Sequence, residues 1–356
     1  MADADLKKPA EPRAPAQQAV CLWLRRSRTI RDAPSYAEGL GFGAACVGLV
    51  LLVWWVLTRG EGDARIVDAY TLPSPGDTFA SFRSLWFERE LSLGAITSLA
   101  RVAGGFLLAA AIGVPLGVIA GSYLRVNAFF RPLTVFGRSV PVAALIPLAM
   151  MWFEIGEFSK VMFIFMATVA FVLFDSCMAA QNVSDRYIDT AYTLGARGSR
   201  KKGTRLAALA GLAYGLVLMV GWYWLKDADE RGSFFAELVS SGSLLRFAGG
   251  FAAGFLLWYP IAGHQVMRKV VLPMALPEIV NSLRLTFGLA FGYIMLAEVV
   301  NAKAGLGFII NNSQRIGPRE HVFLCLFIIS FLAWGIDRLI ILLQRHLFPH
   351  LKHGQT

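Results

Sequence analysis

"DTAYTLGARGSRKK", Asp189 to Lys202, and "VVLPMALPEIVNSLR", Val270 to Arg284, decide how this chain is organised. In the first, helix formers lead into Gly195-Ala196, where a helix can end in a left-handed turn. In the second, Leu272-Pro273 precedes Pro277. Proline favours the first turn of a helix, so a new helix is expected to begin there. Read together, the two stretches form a short helix, a turn and a second helix. Such a rigid knob can pass a push between two proteins. A long, mostly apolar stretch nevertheless lies between Arg197 and Val270.

That stretch resembles much of the rest of the chain. Of 356 residues, 56% are apolar and only 16% charged, with a mean hydropathy of +0.55. A soluble surface needs more charge than this. A membrane-spanning helix needs about 20 apolar residues. Eight runs meet that need: Leu40–Leu57, Ile96–Ala120, Phe136–Phe153, Val161–Ala180, Leu206–Leu225, Leu244–Ile261, Leu285–Val300 and Val322–Leu343. The fold class expected is therefore all-α and polytopic.

The net charge is +10. The basic residues sit between apolar runs, so they fit retention of positive loops on the cytoplasmic side rather than a nucleic-acid surface. They cluster at Arg25–Arg31, at Arg125 and Arg131, at Arg186 to Arg205, at Arg268, Lys269 and Arg284, and at Arg345 and Lys352. The alternate loops are acidic, with Glu61 to Glu90 in one and Asp227 to Glu237 in the other. Both termini are thus expected in the cytoplasm. Residues 1–39 read as a disordered basic tail, 346–356 as a cytoplasmic tail. The segment Cys21–Asp32 fits either an interfacial helix or a positive flank. Gly-rich "GGFLLAAAIGVPLGVIAG", Gly104–Gly121, suits close helix packing in lipid. Pro115, Pro141 and Pro147 interrupt helices, which a bundle tolerates if the freed carbonyls find partners.

Catalytic patterns are missing. "GSRKKGTR", Gly198–Arg205, lacks the Gly-Lys-[Ser/Thr] of a nucleotide-binding loop. The four cysteines, Cys21, Cys46, Cys177 and Cys325, form no CxxC pair. His346, His350 and His353 lie close in sequence, but Pro349 breaks their helical register, and an ordinary polar tail is favoured over a metal site. Neither an enzyme nor a resident metal is expected. Charges do fall within or near the spans, at Arg101, Asp175, Glu298, Asp337 and Arg338. Arg101 is early enough to snorkel outward. Asp175 and Glu298 are near span ends, where hydration is cheap. Glu298 reads as a pathway gate or pairing residue, or as an interfacial carboxylate.

The split stretch resembles the EAA loop of type I ABC importer permeases, whose pattern runs Glu-Ala-Ala-x3-Gly-Ala and then Val-x-Leu-Pro-x3-Pro. Four further blocks are similar to the nitrate/sulfonate/bicarbonate (taurine) branch: Leu72–Phe82, Ser98–Gly121, Pro141–Lys160 and Ala297–Gln314. The resemblance extends from Leu72 to about Phe348. It implies a permease subunit that binds no cofactor itself, with ATP and Mg held by two separate ATPase subunits docked on the EAA loop. It implies also a periplasmic or lipoprotein substrate-binding protein, a permease homodimer, and a bacterial inner membrane. Carried over by position, the docking residues are Asp189, Thr190, Ala191, Leu194, Gly195, Ala196 and Arg197 in the first half, with Leu272, Pro273 and Pro277 in the second. Asp189 stands where the family has Glu, with a shorter reach.

The larger departure is length. Residues 199–266 read as a transmembrane hairpin inserted into the loop of a six-span core, within a permease domain at 96–345 that follows a first span and outer loop at 40–95. Two inserted spans keep both halves of the motif on one side; an odd number would part them. Rival readings are a degenerate permease with an assembly or regulatory role, and an ATP-independent secondary transporter, for which inverted repeats and charged midplane sites would be expected.

Overall fold

The computed structural model describes residues 35–60, 65–68, 70–196, 200–225, 241–301, 303–315 and 318–348. Residues 1–34 of the expected N-terminal tail, Arg197, the acidic loop from Asp227 to Glu237, His350 and His353 lie outside them, while 36–39 of that tail already belong to the first helix. All regular structure among the described residues is helical.

The chain divides into two units, 1–76 and 77–356. In the first, α1 (Tyr36–Leu57) starts at a capping box, in which the Ser35 hydroxyl accepts from the Glu38 N–H and the Ser35 N–H donates to the Glu38 carboxylate. None of its residues is buried within the protein, and beyond Glu38 in its first turn it carries no charged residue, as a lipid-facing span requires. The Trp54 indole N–H donates to the Pro73 carbonyl at 3.0 Å.

From α2 (Pro75–Ala80) and α3 (Phe82–Phe87) the second unit continues through α4 (Leu91–Ser122), α5 (Leu124–Ser139), a 3₁₀ turn (Val142–Ala144), α6 (Leu145–Phe153), α7 (Glu157–Gln181) and α8 (Asp185–Thr193). Then come α9 (Arg200–Leu225), α10 (Ser241–Gly263), a π-turn (Met267–Val271), α11 (Leu272–Asn301), α12 (Leu306–Arg315) and α13 (Glu320–Leu347).

Among the described residues, seven helices are long and apolar enough to cross a membrane singly. The run Phe136–Phe153 is not one straight span as expected from its hydropathy. It is the bend between α5 and α6, which turn by 91°. Val140 precedes Pro141, and the proline ring drives it out of the helical region to φ −69°, ψ 128°. The packing of α4 on α7 decides what this bent pair does. A Cβ on Gly105 would lie 2.5 Å from the Val161 carbonyl oxygen, and one on Gly121 would lie 2.5 Å from that of Cys177. Contacts advance together along both helices, so α4 and α7 are parallel. The segment joining them must return over that length, about 24 Å between Gly105 and Gly121 at 1.5 Å per residue. The bent pair is therefore the return crossing.

The pair expected from the sequence as an insertion packs the other way. Gly203 faces Gly263, Gly211 faces Phe251 and Gly254, and Gly215 faces Phe247 and Gly250. These contacts run in opposite directions, so α9 and α10 form an antiparallel hairpin. Each helix brings a Gly-x3-Gly, "GLAYG" (Gly211–Gly215) and "GFAAG" (Gly250–Gly254), and a Cβ on any of the four glycines would meet an atom of the other helix within 3.0 Å. This is the close approach that lipid-embedded helices gain from small residues. A Cβ on Gly203 would lie 2.6 Å from the Gly263 Cα: the hairpin's two ends meet.

Two apolar cores hold the second unit. One joins α4, α6, α7, α11, α12 and α13 through Val102, Phe106, Phe163, Ile164, Phe291, Ile294 and Leu324. The other, nearer α8, gathers Val118, Ala180, Ile261, Met267, Val271, Ala275 and Ile279.

Candidate functional site

Two places stand apart in chemistry, one at each end of the α4–α7 pair. The first is built on the split stretch. α8 follows α7 after a short turn and carries Ile188 and Ala191 on one face, which pack with Ala196 against the core of Met267, Val271 and Ala275. Val270 and Leu272 pack against that same core. The structure thus brings the two halves of the motif onto one apolar seat. Asn182 Nδ2 adds a hydrogen bond to Glu278 Oε1 at 2.7 Å, and Gln344 Nε2 reaches the Pro277 carbonyl at 3.3 Å.

α8 ends as the sequence indicated. Gly195 has φ +80°, its N–H donates to the Tyr192 carbonyl, and the Ala196 N–H donates back to the Ala191 carbonyl. This paired closure is a Schellman motif, and its left-handed position suits glycine. The turn throws Leu194 outward, 83% exposed, beside Tyr187 and Tyr192, which are 53% and 60% exposed. Asp189 and Thr190 are exposed on the same helix. Asp189 has no ion pair among the described residues. Aromatic rings, a leucine and an unpaired carboxylate at the end of a bundle make a surface suited to a protein partner.

The second half corrects one expectation. Leu272-Pro273 does not open a helix. A helix begins at Gln265 and passes through the π-turn into α11. Pro273 has no N–H, and in an α-helix its ring would strike the Lys269 carbonyl. The Leu272 N–H reaches back to the Met267 carbonyl instead. The wider turn spreads the carbonyls, so the helix continues past the proline. Pro273 is exposed and Pro277 half-buried.

At the other end lies a buried charge network. Glu298 is 0% exposed and Arg101 only 4%, so neither hydration of the first nor snorkelling of the second holds. Arg101 turns inward because partners there satisfy every branch of its guanidinium. Nη1 donates to Glu298 Oε1 at 2.6 Å and to the Ala304 carbonyl at 2.7 Å. Nε and Nη2 grip Glu157 at 2.5 and 2.6 Å. Lys160 adds a bond to Glu157 at 2.8 Å. Glu298 also accepts from the Ser98 hydroxyl at 2.8 Å and the Gly307 N–H at 2.9 Å. Two cations balance two carboxylates, and α4, α7, α11 and α12 are tied together. Gly305, at φ +120°, leaves room that a Cβ would take from the carboxylate, which lies 2.6 Å away. In this structure Glu298 is buried and paired, an internal strut between helices.

The other intramembrane charges are spread out. Asp337 pairs with Arg284 at 3.2 Å, while its neighbour Arg338 points elsewhere, over the Trp334 ring. Arg138 lies over Phe174 at 3.9 Å. Sequence reasoning singled out Arg101 and Glu298 but not Ser98, Glu157 or Lys160. Their common signal is polarity at the start of α4 and α7, which a one-dimensional reading assigns to helix ends.

Comparison with known proteins follows the same outline. The family described as binding-protein-dependent transport system inner membrane component matches residues 113–226 and 262–353, more than half of the chain. The match breaks between α9 and the end of α10. The SsuC permease of Bacillus subtilis, named for aliphatic sulfonates transport, is 26% identical over 86% of this chain and 86% of its own length. The taurine transport system permease protein TauC of Escherichia coli is 23% identical, over 87% and 89%. Among solved structures, a chain of the MetNI methionine ABC transporter in an inward-facing conformation covers 73% of this chain and 99% of its own, with 18% identity and a TM-score of 0.45.

Proposed function

The chain belongs to the family of binding-protein-dependent transport system inner membrane components, and from that premise we propose that α8 and the α11 entrance are its docking site for the ATPase. The chain itself is a multi-pass permease subunit of a type I ABC importer, a transport component and not an enzyme. The finer reading is that two ATPase subunits bind the α8 surface, that two permeases form the pathway, and that a substrate-binding protein delivers the solute from outside. On this reading both termini face the cytoplasm of a bacterial inner membrane, on the side where the arginines gather. The solute is a small anion or organic solute such as nitrate, sulfonate/taurine or bicarbonate, a class supported by the names of similar permeases.

One observation carries the docking proposal. An insertion parts the two halves of the motif in sequence, yet they share one core, with Tyr192 and Leu194 left uncovered. A chain that had abandoned coupling would have no need to keep that seat closed. The shorter Asp189 still stands on the exposed side and can meet a basic residue of the partner.

The test is co-purification of the candidate ATPase with the wild-type permease and with Gly195→Pro. Proline cannot adopt φ +80° and removes the N–H that closes the turn. Wild type should retain the ATPase and the variant should lose it while remaining in the membrane. No retention by wild type would favour a permease with an assembly or regulatory role.

A further inference from the structure

The inserted hairpin does more than rest against the core. Pro115 lies inside α4. It has no N–H, so the carbonyl of Ala111, four residues earlier, has no partner within the helix. The Tyr214 hydroxyl, from α9 of the insertion, donates to that carbonyl. The same hydroxyl oxygen accepts from the Trp258 indole N–H of α10 at 3.3 Å. Gly254, one turn before Trp258, makes room for the tyrosine: a Cβ there would lie 2.8 Å from the Tyr214 Cβ and Cγ. Trp258 and Ile261 then pack with Val114 and Val118 of α4. Both helices of the insertion therefore converge on one hydroxyl, and that hydroxyl fills a gap the core opens in its own helix.

The hairpin also leads directly to the docking site. α10 ends at Gly263, only His264 intervenes, and the next helix runs through the π-turn into α11. A short π segment often marks a place where a helix adjusts for function.

We propose that Tyr214 keys the inserted hairpin into the carbonyl gap made by Pro115, and that the keyed hairpin positions the second half of the docking motif against α8. Tyr214 is on this account a positioning residue. The insertion is a working part of the coupling end, held in register with α4.

Two variants attack the key from opposite sides. Tyr214→Phe removes the donor and keeps the ring. Pro115→Ala restores the N–H, so α4 recaptures its own carbonyl and should itself be firmer. The full-length chain in lipid nanodiscs would be followed by amide hydrogen exchange over residues 249–259. Loss of one buried hydrogen bond should speed exchange there about five- to tenfold in either variant. The double variant should be no faster than Tyr214→Phe alone, since both changes break one bond. Unchanged exchange in Tyr214→Phe, or effects of the two variants that multiply, would overturn the key. Positioning has its own readout. With the four native cysteines replaced, Asn182→Cys and Glu278→Cys can be joined by a short bis-maleimide. Tyr214→Phe should slow that joining at least about threefold. An unchanged rate would overturn the positioning role. Neither measurement involves an ATPase or a solute, so neither depends on the docking proposal being right.

Discussion

The two ends of the α4–α7 pair solve opposite problems. At the Glu298 end, four charged side chains and a serine join in one network, with the central arginine and glutamate at 4% and 0% exposure and Glu157 half-buried at its edge. At the α8 end, an aspartate, two tyrosines and a leucine stand in the open on a single short helix. Buried charge tolerates no missing partner, because the one left behind stays desolvated. Exposed apolar side chains cost little to the fold and offer much to a partner. The difference teaches where each property resides. Integrity of the helix bundle rests on the charge network, and on the proposed docking, communication rests on the open end.

Substitutions can be ordered to break or sharpen that contrast. Glu298→Ala should do most damage, since it leaves Arg101 and Lys160 to share Glu157 and strips the Ser98 hydroxyl and the Gly307 N–H of their acceptor. Removal of one partner from a buried ion pair costs about 3–5 kcal/mol, to be read as lost thermal stability of the purified permease. Gly305→Ala comes next. It combines φ +120° with a Cβ only 2.6 Å from the glutamate carboxylate, and a strained backbone of this kind costs about 1–3 kcal/mol. The same assay reads it. Gly195→Ala should be milder. Nothing lies within 4 Å of its Cβ, so only the left-handed conformation is penalised, about 1–2 kcal/mol, and the loss should appear as faster amide exchange in α8 alone. Leu194→Asp should leave stability within about 0.5 kcal/mol, yet reduce ATPase capture at least tenfold. Down this series the stability effect shrinks while the docking effect grows. A Leu194→Asp permease that unfolds, or a Glu298→Ala permease that stays as stable as wild type, would break the comparison.

How much of this was readable in the sequence follows from the range of each interaction. The spans were legible because hydropathy is a local sum. The end of α8 was legible because a Schellman turn needs only Gly195 and its immediate neighbours. The interruption at Pro141 was legible, but not the 91° turn it makes inside an apolar run, since hydropathy does not register direction. The helix through Pro273 was also misjudged: proline at a first turn and proline after a π-turn look alike in sequence. The charge network needed the third dimension, as Arg101 and Glu298 are 197 residues apart. The hairpin key was half visible. Pro115 announced a freed carbonyl, but nothing local pointed to Tyr214, 103 residues beyond Ala111.

The central claim is that the reunited motif is the surface through which this permease meets its ATPase. The most direct measurement uses a Leu194→Cys variant in intact membranes, treated with a thiol-reactive photocrosslinker and probed for the ATPase subunit. The account predicts capture of the ATPase, and no reaction of that cysteine with a membrane-impermeant maleimide added outside intact cells. Labelling from outside, with no ATPase captured, would contradict it.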